Sequence, residues 1–351
     1  MIFDDKARQQ IREKFEAELK NDVYIRLFSS SLITGTGDGN KEFVDFTKEF
    51  LKELSEIHKK IHVDFDDMYG EEAKKRDISV SPSVIIGDGN EWYPVHYFGA
   101  PAGYEAGSFI EAISMISNGD SGLDASSRKK LKNIDRDLLI ETYVTPSCPH
   151  CPRAVVLSNQ IAIESGGKIV SRCIEAQEMM ERARMFNVSS VPQQVINEEK
   201  DSITIGVQQE RTFVNQVLAY GSDRAKEILE KEEEEKKQKE TLHDNPDYPL
   251  VITDGNMDEA IAKYPFLVVD CWAEWCGPCK MIGPVIEKLA SSQKGDIVFG
   301  KLDVDSNPDS SAKFNIRSIP NLLVFKDGVK VGDVVGAMPE KMLLEKINSY
   351  R

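Results

Sequence analysis

The chain has 351 residues, of which 40% are hydrophobic and 29% charged, and its formal net charge is -15. This composition is typical of a globular protein with two or three domains, and the acidic balance argues against nucleic acid or anionic membranes as partners, since both attract basic surfaces. The charged start lacks the apolar core of a secretory signal, and no apolar run reaches about 18 residues, so we expect a cytoplasmic protein without a membrane segment.

Residues 1–134 have the pattern of an α/β unit. Apolar positions recur at helical spacing over 7–19, 43–57 and 106–116. Short apolar or alternating runs predict strands at 23–28, 61–65, 83–86 and 95–98, and the glycine-rich turn at 87–90 is expected to pair the last two strands.

Residues 135–222 repeat this order. Strands are predicted at 138–144 and 169–174, helices at 154–164, 176–186 and 210–220, and a strand pair after Val191-Pro192. The same order describes residues 246–351. In both units a C-x-x-C lies where a strand ends and a helix begins, and a proline follows its first cysteine by 44 residues, from Cys148 to Pro192 and from Cys276 to Pro320. A repeated interval of this length indicates a repeated fold, and we expect both prolines to be cis.

The first unit lacks this cysteine pair. The same interval counted back from Pro82 reaches Asp38, inside a Gly-Asp-Gly-Asn run at 37–40, and no cysteine precedes Cys148. The run also lacks the Lys-Ser/Thr ending of a phosphate-binding loop, and Asp38 would repel phosphate, so a plain glycine-rich turn is favoured.

The position of each C-x-x-C at the start of a helix is chemically useful. Unpaired backbone N–H groups and the positive end of the helix dipole stabilise a thiolate at the first cysteine, which makes Cys276 the attacking sulfur. His150 lies between Cys148 and Cys151, where an imidazolium would stabilise the Cys148 thiolate. A zinc site shared by the two pairs is disfavoured, because 124 residues separate Cys151 from Cys276, whereas paired zinc knuckles lie about 15 to 20 residues apart.

A charged segment at 223–245 separates the second and third units. It is dominated by Glu and Lys, and its i,i+4 pairs each contribute about 0.2 to 0.5 kcal/mol to a helix. We expect a helical linker that ends at Asn245-Pro246.

The C-terminal unit closely resembles thioredoxin. The residues that carry this resemblance are 272–280, which read Trp-Ala-Glu-Trp-Cys-Gly-Pro-Cys-Lys, together with Asp270, Pro284, Lys301, Ile319, Pro320 and Gly336. The resemblance implies that Cys276 is the nucleophile and Cys279 the resolving thiol, and that Asp270 accepts the proton of Cys279 with Lys301 beside it. It also implies that partners bind over Trp275, Gly277, Pro278, Ile319, Gly336 and Pro320, which would be the cis-proline facing the disulfide.

The first two units are similar to the archaeal and thermophilic protein disulfide oxidoreductases, which are tandem, glutaredoxin-like thioredoxin folds. The motifs are Tyr-Phe-Gly-Ala-Pro-Ala-Gly at 97–103, Val-Thr-Pro-Ser-Cys-Pro-His-Cys-Pro at 144–152, and Val191-Pro192. The resemblance implies a redox site at Cys148 and Cys151, with substrate contacts at Pro149, His150, Val191 and Pro192. A fold without a cysteine pair followed by a fold with one also resembles the N-terminal module of bacterial alkyl hydroperoxide reductase flavoproteins. In the second unit, Thr142 occupies the position that matches Asp270.

These resemblances imply an α/β chain of three thioredoxin folds in tandem, each a central mixed sheet flanked by helices. The expected domains are 1–134 without a C-x-x-C, 135–222 with Cys-Pro-His-Cys, the linker 223–245, and 246–351 with Cys-Gly-Pro-Cys. Cys173 and Cys271 fall inside apolar strands and are interpreted as core residues.

The expected function is thiol-disulfide oxidoreduction of protein disulfides through two redox disulfides, Cys148 with Cys151 and Cys276 with Cys279. No bound cofactor or metal is expected, and electrons would come from an external NADPH- and flavin-dependent thioredoxin reductase. Two alternatives stay open: a dedicated electron relay to a peroxiredoxin-type partner, and a redox-linked peptide-binding chaperone.

Overall fold

The computed structural model describes residues 2–30 and 41–351. The chain divides into two compact units, Met1–Leu229 and Glu230–Arg351. The glycine-rich run at 37–40 lies outside the described residues. Among the helices that are described, none is long and apolar enough to cross a membrane.

The first half of the first unit alternates helices and strands. Helix α1 (Asp5–Glu18) is capped by the side chain of Asp4, which accepts a hydrogen bond from Ala7 N. Helix α2 (Lys41–Ile57) buries the apolar stripe that predicted it. Two short helices, α3 (Glu71–Lys75) and α5 (Ala125–Leu131), were not predicted. The elements are α1 (Asp5–Glu18), β1 (Val23–Ser29), α2 (Lys41–Ile57), β2 (Ile61–Asp67), α3 (Glu71–Lys75), β3 (Ser83–Gly87), β4 (Val95–Phe98), α4 (Glu105–Asn118) and α5 (Ala125–Leu131).

The second half repeats the order. Its elements are β5 (Leu138–Val144), α6 (Cys151–Glu164), β6 (Ile169–Glu175), α7 (Met180–Met185), β7 (Gln193–Ile196), β8 (Thr204–Ile205) and α8 (Glu210–Gly221). Helix α7 is shorter than the predicted range 176–186. Ala176 N donates to Val144 O, which continues the pairing of β5 with β6, and Glu178 N donates to the carboxylate of Glu175, so residues 176–178 form a turn and α7 begins after it.

One eight-stranded sheet runs through the first unit, in the order β2-β1-β3-β4-β6-β5-β7-β8. Each half contributes a four-stranded pattern in which the first strand pairs parallel with the second and antiparallel with the third, and the third pairs antiparallel with the fourth. Parallel pairing of β4 with β6 joins the two halves. The predicted boundary at 134/135 therefore separates two halves of a shared sheet, and the division into separate domains stays a prediction.

The second unit carries the same pattern with one added strand. The boundary between the units falls within helix α9 (Ala225–Glu240), in the predicted linker. The elements are β9 (Leu250–Ile252), α10 (Met257–Lys263), β10 (Phe266–Trp272), α11 (Gly277–Ser292), β11 (Val298–Asp303), α12 (Pro308–Lys313), β12 (Asn321–Lys326), β13 (Val329–Val335) and α13 (Glu340–Asn348). The order of the strands in the sheet is β13-β12-β10-β11-β9.

A left-handed turn recurs at the same place in all three four-stranded patterns. Asp77, Asn187 and Asn315 have φ values of 54°, 51° and 55° and each lies five residues before a proline, Pro82, Pro192 or Pro320. Asp and Asn tolerate this backbone region better than other residues with a side chain. The repeat inferred from the spacing of 44 residues therefore extends to local backbone geometry, and it includes the first pattern, which has no cysteine.

Candidate functional site

The C-terminal dithiol lies at the junction of strand β10 and helix α11. Cys276 is the N-cap residue of α11, and its sulfur accepts a hydrogen bond from Cys279 N at 3.2 Å. The two cysteines form a disulfide with a Cα–Cα distance of 5.3 Å. Gly277 and Pro278, which lie between them, are exposed, whereas both cysteines are nearly buried. A partner must therefore reach the sulfurs over this turn.

A buried carboxyl group lies behind this disulfide. Asp270 on β10 is 1% exposed, and among the described residues neither of its carboxyl oxygens has a hydrogen-bond partner. Burial raises the pKa of Asp270 to about 6, and the positive charge of Lys301 opposes this rise. Lys301 is the register partner of Asp270 on β11. Asp270, Cys279 and Lys301 line one cavity of about 190 Å³, so the structure brings the predicted proton acceptor and the resolving cysteine together.

The predicted peptide-facing residues surround this site. The Ile319-Pro320 peptide bond is cis, which confirms that prediction. Ile319 is half-buried, and Pro320 O accepts a hydrogen bond of 2.8 Å from Gly336 N. Trp275 is 71% exposed, and its indole Nε1 donates to Asp305 Oδ2 at 2.8 Å. A large exposed aromatic beside a reactive disulfide is suited to contact a protein partner.

The second dithiol has the same construction in the first unit. A tight turn follows β5, with Cys148 N donating to Thr145 O, and α6 begins at Cys151. Cys148 and Cys151 form a disulfide with a Cα–Cα distance of 5.5 Å, and Cys148 Sγ accepts a hydrogen bond from Cys151 N at 3.1 Å. Cys148 is 8% exposed and Cys151 fully buried, so Cys148 is the accessible sulfur. Pro149 and His150 form the exposed turn between them.

The loop opposite this dithiol also matches the sequence-based expectation. The Val191-Pro192 peptide bond is cis, as predicted. Val191 O lies 3.8 Å from Cys148 Sγ, which places the loop directly against the disulfide. Pro192 O accepts a hydrogen bond of 2.8 Å from Gly206 N, the counterpart of the Gly336 contact in the C-terminal unit.

The position on strand β5 that matches Asp270 carries no carboxyl group, and the buried carboxylate next to it, Glu141, is paired with Arg182 at 2.6 Å. Thr142 occupies that position, and its hydroxyl lies 2.9 Å from Ser158 Oγ. A buried carboxyl comes instead from the first half of the unit, at Glu105 in the first turn of α4. Glu105 is 2% exposed, and burial raises its pKa to about 7, against the lowering effect of a hydrogen bond from Ser108.

The first turn of α4 adjoins the turn that leads to Cys148. Tyr104 N donates to Pro146 O at 3.1 Å. Gly103 has a φ of +61°, and a Cβ there would lie 2.2 Å from Pro146 O, so no residue with a side chain fits. The charge of Glu105 also acts on Cys173, which packs in one apolar cluster with Cys148 and Cys151. Sequence reasoning missed Glu105, because its burial depends on packing between the two halves.

The remaining candidates for chemistry are structural. Cys173 and Cys271 are buried and not disulfide-bonded, as their strand positions predicted. Within residues 2–30 and 41–351, no cluster of three or more His, Cys, Asp or Glu side chains has the geometry to hold a metal ion.

Comparison with known proteins identifies the C-terminal unit. The family model described as Thioredoxin matches residues 248–349. Thioredoxins of Staphylococcus haemolyticus and Staphylococcus saprophyticus are each 52% identical to this chain over 99 residues, which is 28% of this chain and 94% of theirs. The chain belongs to the thioredoxin family. Its thioredoxin domain includes Asp270, the Cys276–Cys279 pair, Lys301 and Pro320.

Two solved structures resemble a larger part of the chain. A protein disulfide oxidoreductase from Aeropyrum pernix is 28% identical, with a TM-score of 0.54, over 62% of this chain and 93% of that one. The N-terminal domain of an alkyl hydroperoxide reductase from Enterococcus faecalis has a TM-score of 0.53 at 24% identity over 60% of this chain and 98% of that one, a likeness that shows the fold alone. Matches this long extend beyond the thioredoxin domain. Together with the two C-x-x-C disulfides, the relatives support a thiol-disulfide oxidoreductase.

Proposed function

We propose that this protein reduces or exchanges disulfides in other proteins through two separate dithiols. The observation that carries the proposal is that the same construction occurs twice: a C-x-x-C disulfide at a helix start with a cis-proline loop beside it. Each unit also has a buried carboxyl group with a raised pKa, Asp270 or Glu105. The helix start stabilises a thiolate at the first cysteine of each pair, and the carboxyl can take the proton of the second.

In the C-terminal domain the reaction has two displacements. The Cys276 thiolate attacks one sulfur of the substrate disulfide, forms a mixed disulfide, and releases the other substrate sulfur, which takes up a proton as a thiol. Cys279 then gives its proton to the Asp270 carboxylate and attacks the sulfur of Cys276. The second substrate sulfur leaves as a thiolate and takes up the proton held by Asp270, and the protein keeps the Cys276–Cys279 disulfide. The substrate has gained two electrons from the dithiol and two protons, one from solvent and one that came from Cys279, while Cys276 had released its own proton to solvent before the attack.

The dithiol of the first unit follows the same course with a different proton acceptor. Cys148, the more exposed sulfur, makes the attack, and Cys151 resolves the mixed disulfide. The Glu105 carboxylate takes the place of Asp270 as acceptor for the Cys151 proton. Because burial raises the pKa of Glu105 to about 7, the group can accept a proton and release it again near neutral pH. Val191 and Pro192 align the substrate beside Cys148.

Each turnover leaves a disulfide in the protein, so an external donor must supply two electrons. A flavin- and NADPH-dependent thioredoxin reductase is the donor proposed for the thioredoxin domain, and protein disulfides are the proposed substrates. A cytoplasmic location, where thiols are kept reduced, suits this direction of electron flow.

A dedicated relay is the second candidate. The chain contains two dithiols, in the motifs Cys-Pro-His-Cys and Cys-Gly-Pro-Cys, and a different buried carboxyl group is proposed for each. Two unlike dithiols in one protein are suited to pass electrons from one pair to the other. The fold likeness to a domain of an alkyl hydroperoxide reductase suggests a peroxiredoxin-type recipient. A substrate range limited to one protein, with little turnover of insulin, would favour the relay over a general reductase.

The proposed function is tested by insulin reduction with dithiothreitol as the reductant. Separate Cys148→Ser and Cys276→Ser variants are each expected to lose part of the turnover, and the double variant all of it. Cys173→Ala and Cys271→Ala remove buried cysteines outside both sites and serve as matched controls with unchanged turnover. Turnover that is unchanged in the double variant would end the proposal.

A further inference from the structure

A chain of hydrogen bonds leads to the Glu105 carboxyl through the buried interior of the first unit. Ser171 Oγ donates to Asn159 Oδ1 at 2.7 Å, and Asn159 Nδ2 donates to the Tyr97 hydroxyl at 3.4 Å. The Tyr97 oxygen lies 3.2 Å from Ser108 Oγ, which donates to Glu105 Oε2 at 2.5 Å. All five side chains are buried, so no competing solvent contact breaks the series.

When Glu105 is ionised, the chemistry of the groups fixes which one donates and which one accepts in each hydrogen bond of the series. The amide nitrogen of Asn159 can only donate, so the Tyr97 oxygen is an acceptor on that side. The Ser108 hydroxyl has one hydrogen and two acceptors in reach, the Glu105 backbone carbonyl at 2.9 Å and the Glu105 carboxylate at 2.5 Å; the carboxylate, which is closer and charged, takes it. The hydrogen between Tyr97 and Ser108 must therefore come from Tyr97. Each hydroxyl then accepts one hydrogen bond and donates the next, an arrangement in which successive bonds polarise one another.

The chain also joins the two halves of the unit. Tyr97 lies on β4, Ser108 and Glu105 on α4, and Asn159 on α6, the helix that begins at Cys151. The half that has no cysteine therefore supplies a buried carboxyl and two hydroxyl groups to a hydrogen-bond network that reaches α6, the helix that carries Cys151.

We propose that Tyr97 and Ser108 are positioning residues of the Cys148–Cys151 dithiol, which orient the Glu105 carboxyl and direct one O–H group at it. This inference rests on the proposed role of Glu105 as proton acceptor for Cys151. The first half of the unit, which has no cysteine, would then take part in the thiol chemistry of the second half.

Among the described residues, two buried ionisable groups interact with Glu105 electrostatically, Tyr97 on β4 and Cys173 on β6. Burial raises the pKa of both well above the usual values, so both stay neutral near pH 7. Glu175 acts on Cys173 from the end of β6. The Cys148–Cys151 pair lies at the start of α6, in the same cluster as Tyr97 and Cys173. Near neutral pH, Ser108 is the partner that lowers the pKa of Glu105 by hydrogen bonding.

The test follows resolution of a mixed disulfide in the full chain, with Cys276→Ser and Cys279→Ser silencing the other dithiol. Reduced protein is mixed with an aromatic disulfide that releases a coloured thiol. The first release reports attack by Cys148, and the second reports resolution by Cys151. The rate of each release is measured as a function of pH.

Breaking the series of hydrogen bonds that ends at Glu105 is expected to raise the pKa of Glu105. The pH midpoint of the second thiol release should therefore move upward. A hydrogen bond to a charged group corresponds to a shift of roughly one to two pH units, expected for Ser108→Ala, with a smaller upward shift for Tyr97→Phe. At about pH 7 the second release should slow several-fold, while the first is unchanged. Ser108→Thr keeps the hydroxyl and should restore the midpoint.

Tyr143→Phe is the matched control, because Tyr143 is also buried but donates to Glu141, which is not part of this series of hydrogen bonds. The pH midpoint of the second thiol release should be the same in this variant as in the parent protein. In Glu105→Gln the midpoint itself should disappear. If it disappears there but stays at its parental pH in both Ser108→Ala and Tyr97→Phe, the positioning inference is wrong while Glu105 keeps its role. If Glu105→Gln leaves the pH profile intact, the proposed proton acceptor fails, and the positioning inference with it.

Discussion

Replacement of Asp270 by Asn should stabilise the oxidised C-terminal domain at neutral pH, although the aspartate is part of the proposed site. The carboxyl is 1% exposed and has no hydrogen-bond partner among the described residues, so burial raises its pKa from 3.8 to about 6. A shift of this size corresponds to about 3 kcal/mol, at about 1.4 kcal/mol per pH unit. Asn fills the same volume without a charge to desolvate.

The sign of the pH dependence follows from the direction of this shift. Because the folded pKa lies above the unfolded one, the unfolded chain loses this proton at lower pH than the folded domain does. The stability that the neutral carboxyl allows is fully present below about pH 3.8 and is lost as the pH rises through about 6. The gain from Asp270→Asn should therefore be near zero at pH 3.5 and reach about 3 kcal/mol at pH 8.

Urea unfolding measured by tryptophan fluorescence gives this difference. The chain has three tryptophans, and in a Trp92→Phe background the two that remain, Trp272 and Trp275, both report on the second unit. Asp296→Asn, which removes an exposed aspartate of the same unit, is the control and should show no pH-dependent gain. Equal free energies of unfolding for the Asp270→Asn protein and its parent at every pH would refute the reasoning.

Three other substitutions test separate parts of the structure. Trp275→Ala should raise KM for protein disulfides several-fold and change the free energy of unfolding by less than about 0.5 kcal/mol, because the side chain is mostly exposed; insulin titrations and urea melts check both. Arg182→Ala removes the 2.6 Å ion pair to the fully buried Glu141, which keeps a longer pair to Arg172 at 3.5 Å, and should destabilise the first unit by about 2 kcal/mol in urea. Lys74→Ala, which removes an exposed ion-pair partner of Glu71, is the near-neutral control. His150→Ala should make the first dithiol less oxidising, lowering its potential by about 30 mV or more in glutathione buffers, since an imidazolium would no longer stabilise the thiolate; an unchanged potential would contradict that role.

The sequence predicts the parts of the fold that depend on local pattern. Strand β5 begins and ends at the predicted residues, Leu138 and Val144. Its apolar run defines the strand, and the turn with the C-x-x-C that follows marks its end. Both dithiols and both cis-prolines lie where the interval of 44 residues places them. Short-range periodicity and one repeated spacing are sufficient for these features.

Contacts between distant segments could not be predicted in this way. Glu105 follows a glycine- and proline-rich motif and reads as an ordinary first-turn acid of a helix, yet it is buried because the two halves pair β4 with β6. The late start of α7 likewise follows from the pairing of β5 with β6, which continues to the bond from Ala176 N to Val144 O, a contact between residues far apart in sequence. The sequence therefore predicted the cysteine pairs and the cis-prolines of both sites, but not the buried carboxyl group of Glu105.

The most direct test of the central claim is a count of alkylated cysteines by peptide mass spectrometry after equilibration in redox buffers. The potentials should span the range from about -120 to -300 mV, which includes the values of known C-x-x-C proteins. We expect two reversible two-electron transitions, one that exposes Cys148 and Cys151 together and one that exposes Cys276 and Cys279 together. A pair that stays disulfide-bonded across the whole range, or from which only one thiol is labelled, would contradict the account.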